Sequence, residues 1–226
     1  MRTLNKYMLL TIVMMFISTV GFSQQRTVNY NLSELLSSGK LSATNRTATQ
    51  LSDKEPNGIK ISSAAGEGAV WLNGVKFSNG IIELDIKGKN VEQQSFVGVA
   101  FHGLEDTKTF DVIYLRPFNF KATDSVKRSH SVQYASHPDN PWQVLREKFN
   151  GKYENAVTPV PDPDNWFHIR IEVNYPVVKT FVNGGATPSL TVAKLNDRKN
   201  GILGLWVGNN SGGDFANLKI TYSDKD

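Results

Sequence analysis

The 226-residue sequence contains no cysteine. That absence excludes a disulfide framework, a cysteine nucleophile and a lipid anchor built on cysteine. Stability must come from a large packed core or from a bound ion. A charge excess is also missing, with 25 lysines and arginines against 21 aspartates and glutamates. Histidine is scarce, and His102, His130, His137 and His168 have no spacing that zinc sites use. No G-x-S-x-G elbow is present, which removes a serine hydrolase of that type. There is no internal repeat and no low-complexity tract, so one domain is the simplest organisation.

Long hydrophobic runs are confined to the start. Arg2 and Lys6 precede a nearly uninterrupted apolar stretch from Met8 to Val20, and Gly21 and Ser23 supply the small residues of a cleavage site. This is the pattern of a secretory signal peptide, too short and wrongly flanked for a membrane span. The expectation is a signal peptide over residues 1–23 and a periplasmic or secreted mature domain over 24–226, without stable membrane insertion. Setting Arg2 and Lys6 aside leaves 23 basic against 21 acidic residues, so the sequence pI of 9.2 partly reflects the leader. Nothing resembles a nucleic-acid footprint. No feature sets an oligomeric state.

What is present is a succession of short alternating runs bounded by Gly, Asn, Asp and Pro, such as GIIELDIKG, SFVGVAFHG, FDVIYLRP, WFHIRIEVN and ILGLWVG. Regular short strands between turn signals predict an all-β sandwich or barrel. Only LSELLSSG and WQVLREKF read as short helices. In GIIELDIKG, Ile82, Leu84 and Ile86 share one face, and Phe167, Ile169, Ile171 and Val173 do the same in WFHIRIEVN. Two strands differ: SFVGVAFHG sets Phe96, Gly98, Ala100 and His102 opposite its core face, and ILGLWVG sets Gly204, Trp206 and Gly208 there. Glycine within a strand often marks close approach of a ligand or another backbone. The two strands together predict a small-residue groove floor around Trp206, the alternative being a face packed beneath a loop.

Glycoside hydrolysis by a retaining laminarinase-type site would need E-x-D-x-x-E on one strand. Glu83 and Asp85 are there, but Gly88 replaces the third acid, and the pair reads as a solvated strand face. Elimination of acidic polysaccharides would use Tyr and His with Arg and Gln or Asn. Arg116, Asn119, Gln133, Tyr134 and His137 supply those types, yet Gln133 and Tyr134 are neighbours and face opposite sides of one strand. Calcium would suit the oxygen-rich loops around Asp162 and Asp164 and around Asn209, Asn210 and Asp214. Turn chemistry explains the same residues, and the expectation is no bound cofactor or metal.

Carbohydrate binding remains. Sugars offer apolar C–H faces and many hydroxyls, which aromatic platforms with amide, guanidinium and acid groups can meet. The long excursion from Arg116 to Trp166 holds Arg116, Asn119, Gln133, Tyr134, His137, Trp142, Arg146 and Glu154, to which the groove floor adds Trp206. Long ordered loops in compact domains are usually functional. The plain alternative is a satellite core of Trp142 and Leu145, with Arg146 paired to Glu147 or Glu154.

The runs FDVIYLRPFNF, HSVQYASHPDNPWQVLRE, YENAVTPVPDPDNWFHIRIEV, VKTFVNG and NGILGLWVGNNSGGDFANLKI together resemble the concanavalin A-like lectin/glucanase superfamily. The likeness spans roughly residues 55 to 222 and is greatest to laminin-G-like and 3-keto-disaccharide-hydrolase-like domains exported by Bacteroidetes-type bacteria. Its marker is the ending: Trp166–Ile169, Lys179–Gly184, Gly201–Leu205 and Phe215–Ile220. The resemblance implies a jelly-roll of two curved antiparallel sheets and a carbohydrate ligand. The acidic and NSG-type signature of the hydrolase branch is replaced here by QSFVG. The expected function is therefore glycan recognition, with glycoside processing of the 3-keto-disaccharide type as the alternative and protein-binding adhesion as a third.

Overall fold

The computed structural model describes residues 25–52 and 57–223. The expected signal peptide and its cleavage site lie outside them. Within the described residues the alternating runs become strands β1 (Arg26–Tyr30), β2 (Leu41–Thr44), β3 (Ala48–Gln50), β4 (Gly58–Ile61), β5 (Gly68–Phe77), β6 (Gly80–Lys87), β7 (Val97–Gly103), β8 (Phe110–Leu115), β9 (Val132–His137), β10 (Glu154–Asn155), β11 (Phe167–Asn174), β12 (Val177–Val182), β13 (Leu190–Ala193), β14 (Gly201–Val207) and β15 (Gly213–Tyr222). Three short helices accompany them: α1 (Leu32–Ser37), α2 (Ser125–Ser129) and α3 (Trp142–Phe149). Strands β1, β2, β3 and β10 and helix α2 have no counterpart among the runs that the sequence pattern marks. None of the helices is long and apolar enough to cross a membrane.

The strands form two antiparallel sheets. One runs β13-β12-β11-β6-β15-β4-β3, with β1 also paired to β15, and the other runs β10-β9-β8-β7-β14-β5-β2. This is the expected all-β jelly-roll sandwich. The core lies where the inward faces meet: Ile82, Leu84, Ile86, Phe167, Ile169 and Ile171 from the first sheet, Val97, Val99, Leu205 and Ile113 from the second, all buried. Such burial of apolar side chains is the main stabilising term in a chain without cross-links. The outward face of β6 and β11 is polar, with Lys219 Nζ 2.8 Å from Glu83 and His168 Nδ1 2.8 Å from Asp85.

One inward-outward assignment fails at β7. Gly103 pairs with Ile202 and Ala100 with Gly204, so β7 spends an extra residue there and bulges. His102 occupies the left-handed region, with φ 49°. The bulge turns His102 away from the expected outer face and into the sandwich, stacked on Phe77 at 5.9 Å between ring centres. There its Nδ1 accepts from Lys194 Nζ and its Nε2 donates to the carbonyl of Ser78, 2.8 Å away. Asp111 completes this buried end of the sandwich, 3.0 Å from Lys194 Nζ and 3.3 Å from Arg198 Nη2.

Candidate functional site

Cross-strand register builds the floor of a groove on the face of the seven-stranded sheet that points away from the core. Ala69 of β5 lies opposite Trp206 of β14, Trp206 opposite Gly98 of β7, Gly98 opposite Tyr114 of β8, and Tyr114 opposite Gln133 of β9. Gln133 in turn faces Glu154 of β10. One row of six residues therefore crosses six strands. Directly paired residues on one face are close enough to interact, and the Tyr114 and Trp206 rings meet at 4.9 Å across Gly98.

That geometry corrects the small-residue floor. Gly98 leaves no open space: a Cβ there would stand 2.0 Å from the Ile113 carbonyl oxygen and 2.8 Å from Tyr114 Cβ. At Gly204 a Cβ would stand 2.7 Å from the Trp71 ring. The glycines let large rings pack close over the strands, and of these Tyr114 and Trp206 form the floor. A Gly98→Val change would strike backbone rather than fill a cavity.

The groove encloses about 850 Å³. Tyr114, Phe96 and Trp206 supply its aromatic surface, and Arg116, Asn119, His130, His137, Trp142 and Arg146 its polar and upper walls. Arg116 follows the last residue of β8, and Pro117 begins a 3₁₀ turn over Pro117–Asn119 that brings Asn119 round to the rim. Proline suits the end of the ladder because it cannot donate to it. The Arg116 guanidinium, only 4% exposed, packs over Tyr114 at 4.9 Å and Phe96 at 5.6 Å. It donates to Tyr114 Oη at 2.9 Å, to the His130 carbonyl at 2.7 Å and to Gln133 Oε1.

Glu154 lies beneath this wall rather than on it. Arg146 grips it through two nitrogens, Nε at 2.9 Å from Oε1 and Nη2 at 2.8 Å from Oε2. Arg116 Nη1 stands 3.8 Å away and His130 Nδ1 2.9 Å. A carboxylate so enclosed is a counterion for two guanidiniums. Arg146 does pair with Glu154, as the plainer reading of the loop expected. Leu145 anchors α3 with 2% exposure, but Trp142 stays 42% exposed and stacks on Arg146 at 4.9 Å, so it is not part of a satellite core.

Of the residues expected in the site, Arg116, Asn119, His137, Trp142, Arg146 and Trp206 line the groove. Gln133 and Glu154 support it from below. Tyr134 is a correction: its hydroxyl donates to Asp111 Oδ1 at 2.5 Å inside the sandwich. Strand alternation puts it opposite Gln133. Tyr114, Glu67, Glu92, Lys127 and His130 also line the groove and were not singled out. Tyr114 had a signal, since it stands two residues before Arg116 and so shares its face.

Burial decides the protonation of the groove. It pushes the His130 and His137 imidazoles below their ordinary values, for His130 with help from the Arg146 and Arg116 cations. It also raises Tyr114 and lowers Arg116. Neutral imidazoles there can both donate and accept. The Trp206 indole nitrogen and the Gln133 amide nitrogen are buried donors with no protein acceptor. In the oxygen-rich loops, Asp162 accepts from the Asp164 amide, Asp164 from the Asn90 amide and Asn209 from the Gly66 amide. The first is a turn contact and the other two tie separate loops together; no group of three or more acids, histidines or cysteines is placed to hold a metal among the described residues.

The sandwich, with an aromatic groove on one sheet, defines the concanavalin A-like jelly-roll class. Residues 34–221 match the model of the 3-keto-alpha-glucoside-1,2-lyase-like domain, and the chain belongs to that family. Among solved structures it is similar to the carbohydrate-binding module CBM66 of Bacillus subtilis, with a TM-score of 0.55 and 14% identity over 80% of this chain and 95% of that one. It is also similar to a Bacillus subtilis protein of unknown function with a galectin-like fold, with a TM-score of 0.57 and 12% identity over 87% and 94%. The mannose-bound exoplasmic/lumenal domain of VIP36 aligns with a TM-score of 0.56 and 8% identity over 83% and 84%. At these identities the likeness is one of fold. No curated protein matches the chain.

Proposed function

We propose that this chain is an exported protein that binds neutral carbohydrate in the groove between Trp206 and α3. The observation that carries the reading is the floor itself, where the Tyr114 and Trp206 rings lie beside amide, imidazole and guanidinium groups in one groove. Rings of this kind receive the apolar face of a sugar, and the surrounding groups meet its hydroxyls. Charge balance argues for a neutral ligand: Arg116, Arg146 and Lys127 are matched by Glu154, Glu67 and Glu92. A uronate would find both guanidiniums already engaged. The carbohydrate-binding and mannose-bound neighbours of the same fold support the ligand class.

Family membership favours a second reading, turnover of a 3-keto-disaccharide-type glycoside. Against it, both Glu154 oxygens are occupied by Arg146, which leaves that carboxylate poorly placed to give up or take a proton. A glycan array and a glycoside-activity screen on the mature protein separate the two. Binding without turnover is expected, and Trp206→Ala should weaken it at least about tenfold, the equivalent of about 1.4 kcal/mol. Turnover that survives in Glu154→Gln would exclude Glu154 as the acid and favour the enzyme. No binding to any neutral glycan would remove the proposal.

A further inference from the structure

A second cavity of about 520 Å³ adjoins the groove. The two share Glu92, Phe118, Asn119 and Lys127 in their walls. The second adds Asn90, Ala122, Thr123 and Asp124. Their shared wall carries an ion pair, Lys127 Nζ 2.8 Å from Glu92 Oε1, joining α2 to the loop before β7. Both side chains are more than half exposed, at 51% and 61%. Beneath them Phe118 is held edge-on to Phe96 at 5.4 Å, so one aromatic wall runs from the groove floor into the second cavity.

The second cavity has the groups a sugar ring needs. Asn119 makes only a long side-chain contact, 3.4 Å to the His130 carbonyl, and Asn90 spends its backbone amide on Asp164. Asp124 Oδ1 accepts from the Val126 amide at 2.7 Å. Arg128 fixes the wall by donating to the Ala122 and Thr123 carbonyls at 2.7 and 2.8 Å. The wall is tied by these hydrogen bonds, whereas exposed ion pairs of this kind contribute little and are screened by salt.

We propose that the two cavities form one extended site for a neutral oligosaccharide of several rings, and that the Glu92–Lys127 pair is a strap across it which the sugar chain must part. This rests on the carbohydrate reading of the first cavity. A single ring fits the groove without disturbing the strap; a longer chain displaces it to reach Phe118, Asn119 and Thr123. Affinity for long chains should therefore rise with salt, opposite to an ordinary charged site.

The test is calorimetric titration with neutral gluco-oligosaccharides of one to six units from the malto-, cello- and laminari- series, at low and high salt. The readout is the ratio of long-chain to single-ring affinity. In the wild type the ratio should exceed about tenfold and rise two- to fivefold with salt, the range set by a weak exposed pair. Glu92→Ala should raise the ratio at low salt and abolish its salt dependence. Thr123→Trp, which fills the second cavity from an exposed position, should bring the ratio close to one. Single-ring binding with a ratio near one in all three proteins would overturn the strap and the second cavity while leaving the carbohydrate reading intact. Failure of every gluco-oligosaccharide, alongside a glycan array with no neutral ligand, would overturn both.

Discussion

Deleting the Glu154 side chain would leave Arg116 and Arg146 facing each other with no shared anion. Arg116 and Glu154 have side-chain exposures of only 5% and 3%, so water could not substitute. Breaking a buried pair by removing one partner typically costs about 3–5 kcal/mol. Glu154→Ala should therefore lower the urea midpoint by an amount of that order, whatever its effect on ligand. A loss below about 0.5 kcal/mol would show that the guanidiniums are solvated. At this scale the sequence named residues well by type and less well by direction. Arg116, Asn119, Arg146 and Trp206 carry chemistry that core residues seldom have. Tyr114 is hidden within FDVIYL, where apolar residues on both strand faces do not mark the groove side, and Tyr134 has the right type although strand alternation sets it opposite Gln133.

The element on which the upper wall depends is α3. Its eight residues set Trp142 and Arg146 four apart, on one face, with Leu145 turned inward. Leu145 is the buried residue of that helix and moors it in the core, beside the Arg146–Glu154 pair and the Phe149–Tyr153 ring contact. Leu145→Ala should cost about 2–4 kcal/mol and carry Trp142 and Arg146 out of place, weakening glycan binding together with stability. Unchanged binding in a destabilised variant would show that the wall is not part of the site. Strand parity was legible where strands are regular, as in β6 and β11. It failed at His102 because a left-handed histidine inside a bulge leaves no compositional trace. Strands β1, β2 and β3 escaped because RTVNY, LSAT and ATQ show little apolar alternation and are mostly exposed. Backbone pairing to longer neighbours makes them strands.

Over the whole molecule, the response to acid should centre on the buried end of the sandwich. Burial, and then the Lys194 cation, lower the His102 imidazole from 6.5 to about 4. Above pH 6.5 both folded and unfolded forms are neutral there, and the contribution is fully present. As pH falls from 6.5 towards 4 the unfolded chain binds a proton that the folded one refuses, so stability declines. The full difference corresponds to about 3 kcal/mol. His168 works in the opposite sense, since its hydrogen bond to Asp85 raises it and stabilises the fold most at low pH. Comparing urea midpoints at pH 7 and pH 4.5 for the wild type and His102→Asn isolates the first effect. Asparagine tolerates the left-handed backbone, and the variant should lose less stability on acidification. An equal loss in both would place the acid sensitivity elsewhere.

The row from Ala69 to Glu154 takes one residue from each of six strands, and this couples recognition to the melting of the sheet. No partial opening that frees one of those strands leaves the floor whole. Freeing any one of those strands releases a ligand seated there, so its binding energy opposes local opening of the sheet as well as global unfolding. At a hundredfold excess over Kd that amounts to about 2.7 kcal/mol, or roughly 5–10 °C for a domain of this size. The fold thus acts as its own thermometer, and a melting screen across a sugar library can read the ligand directly.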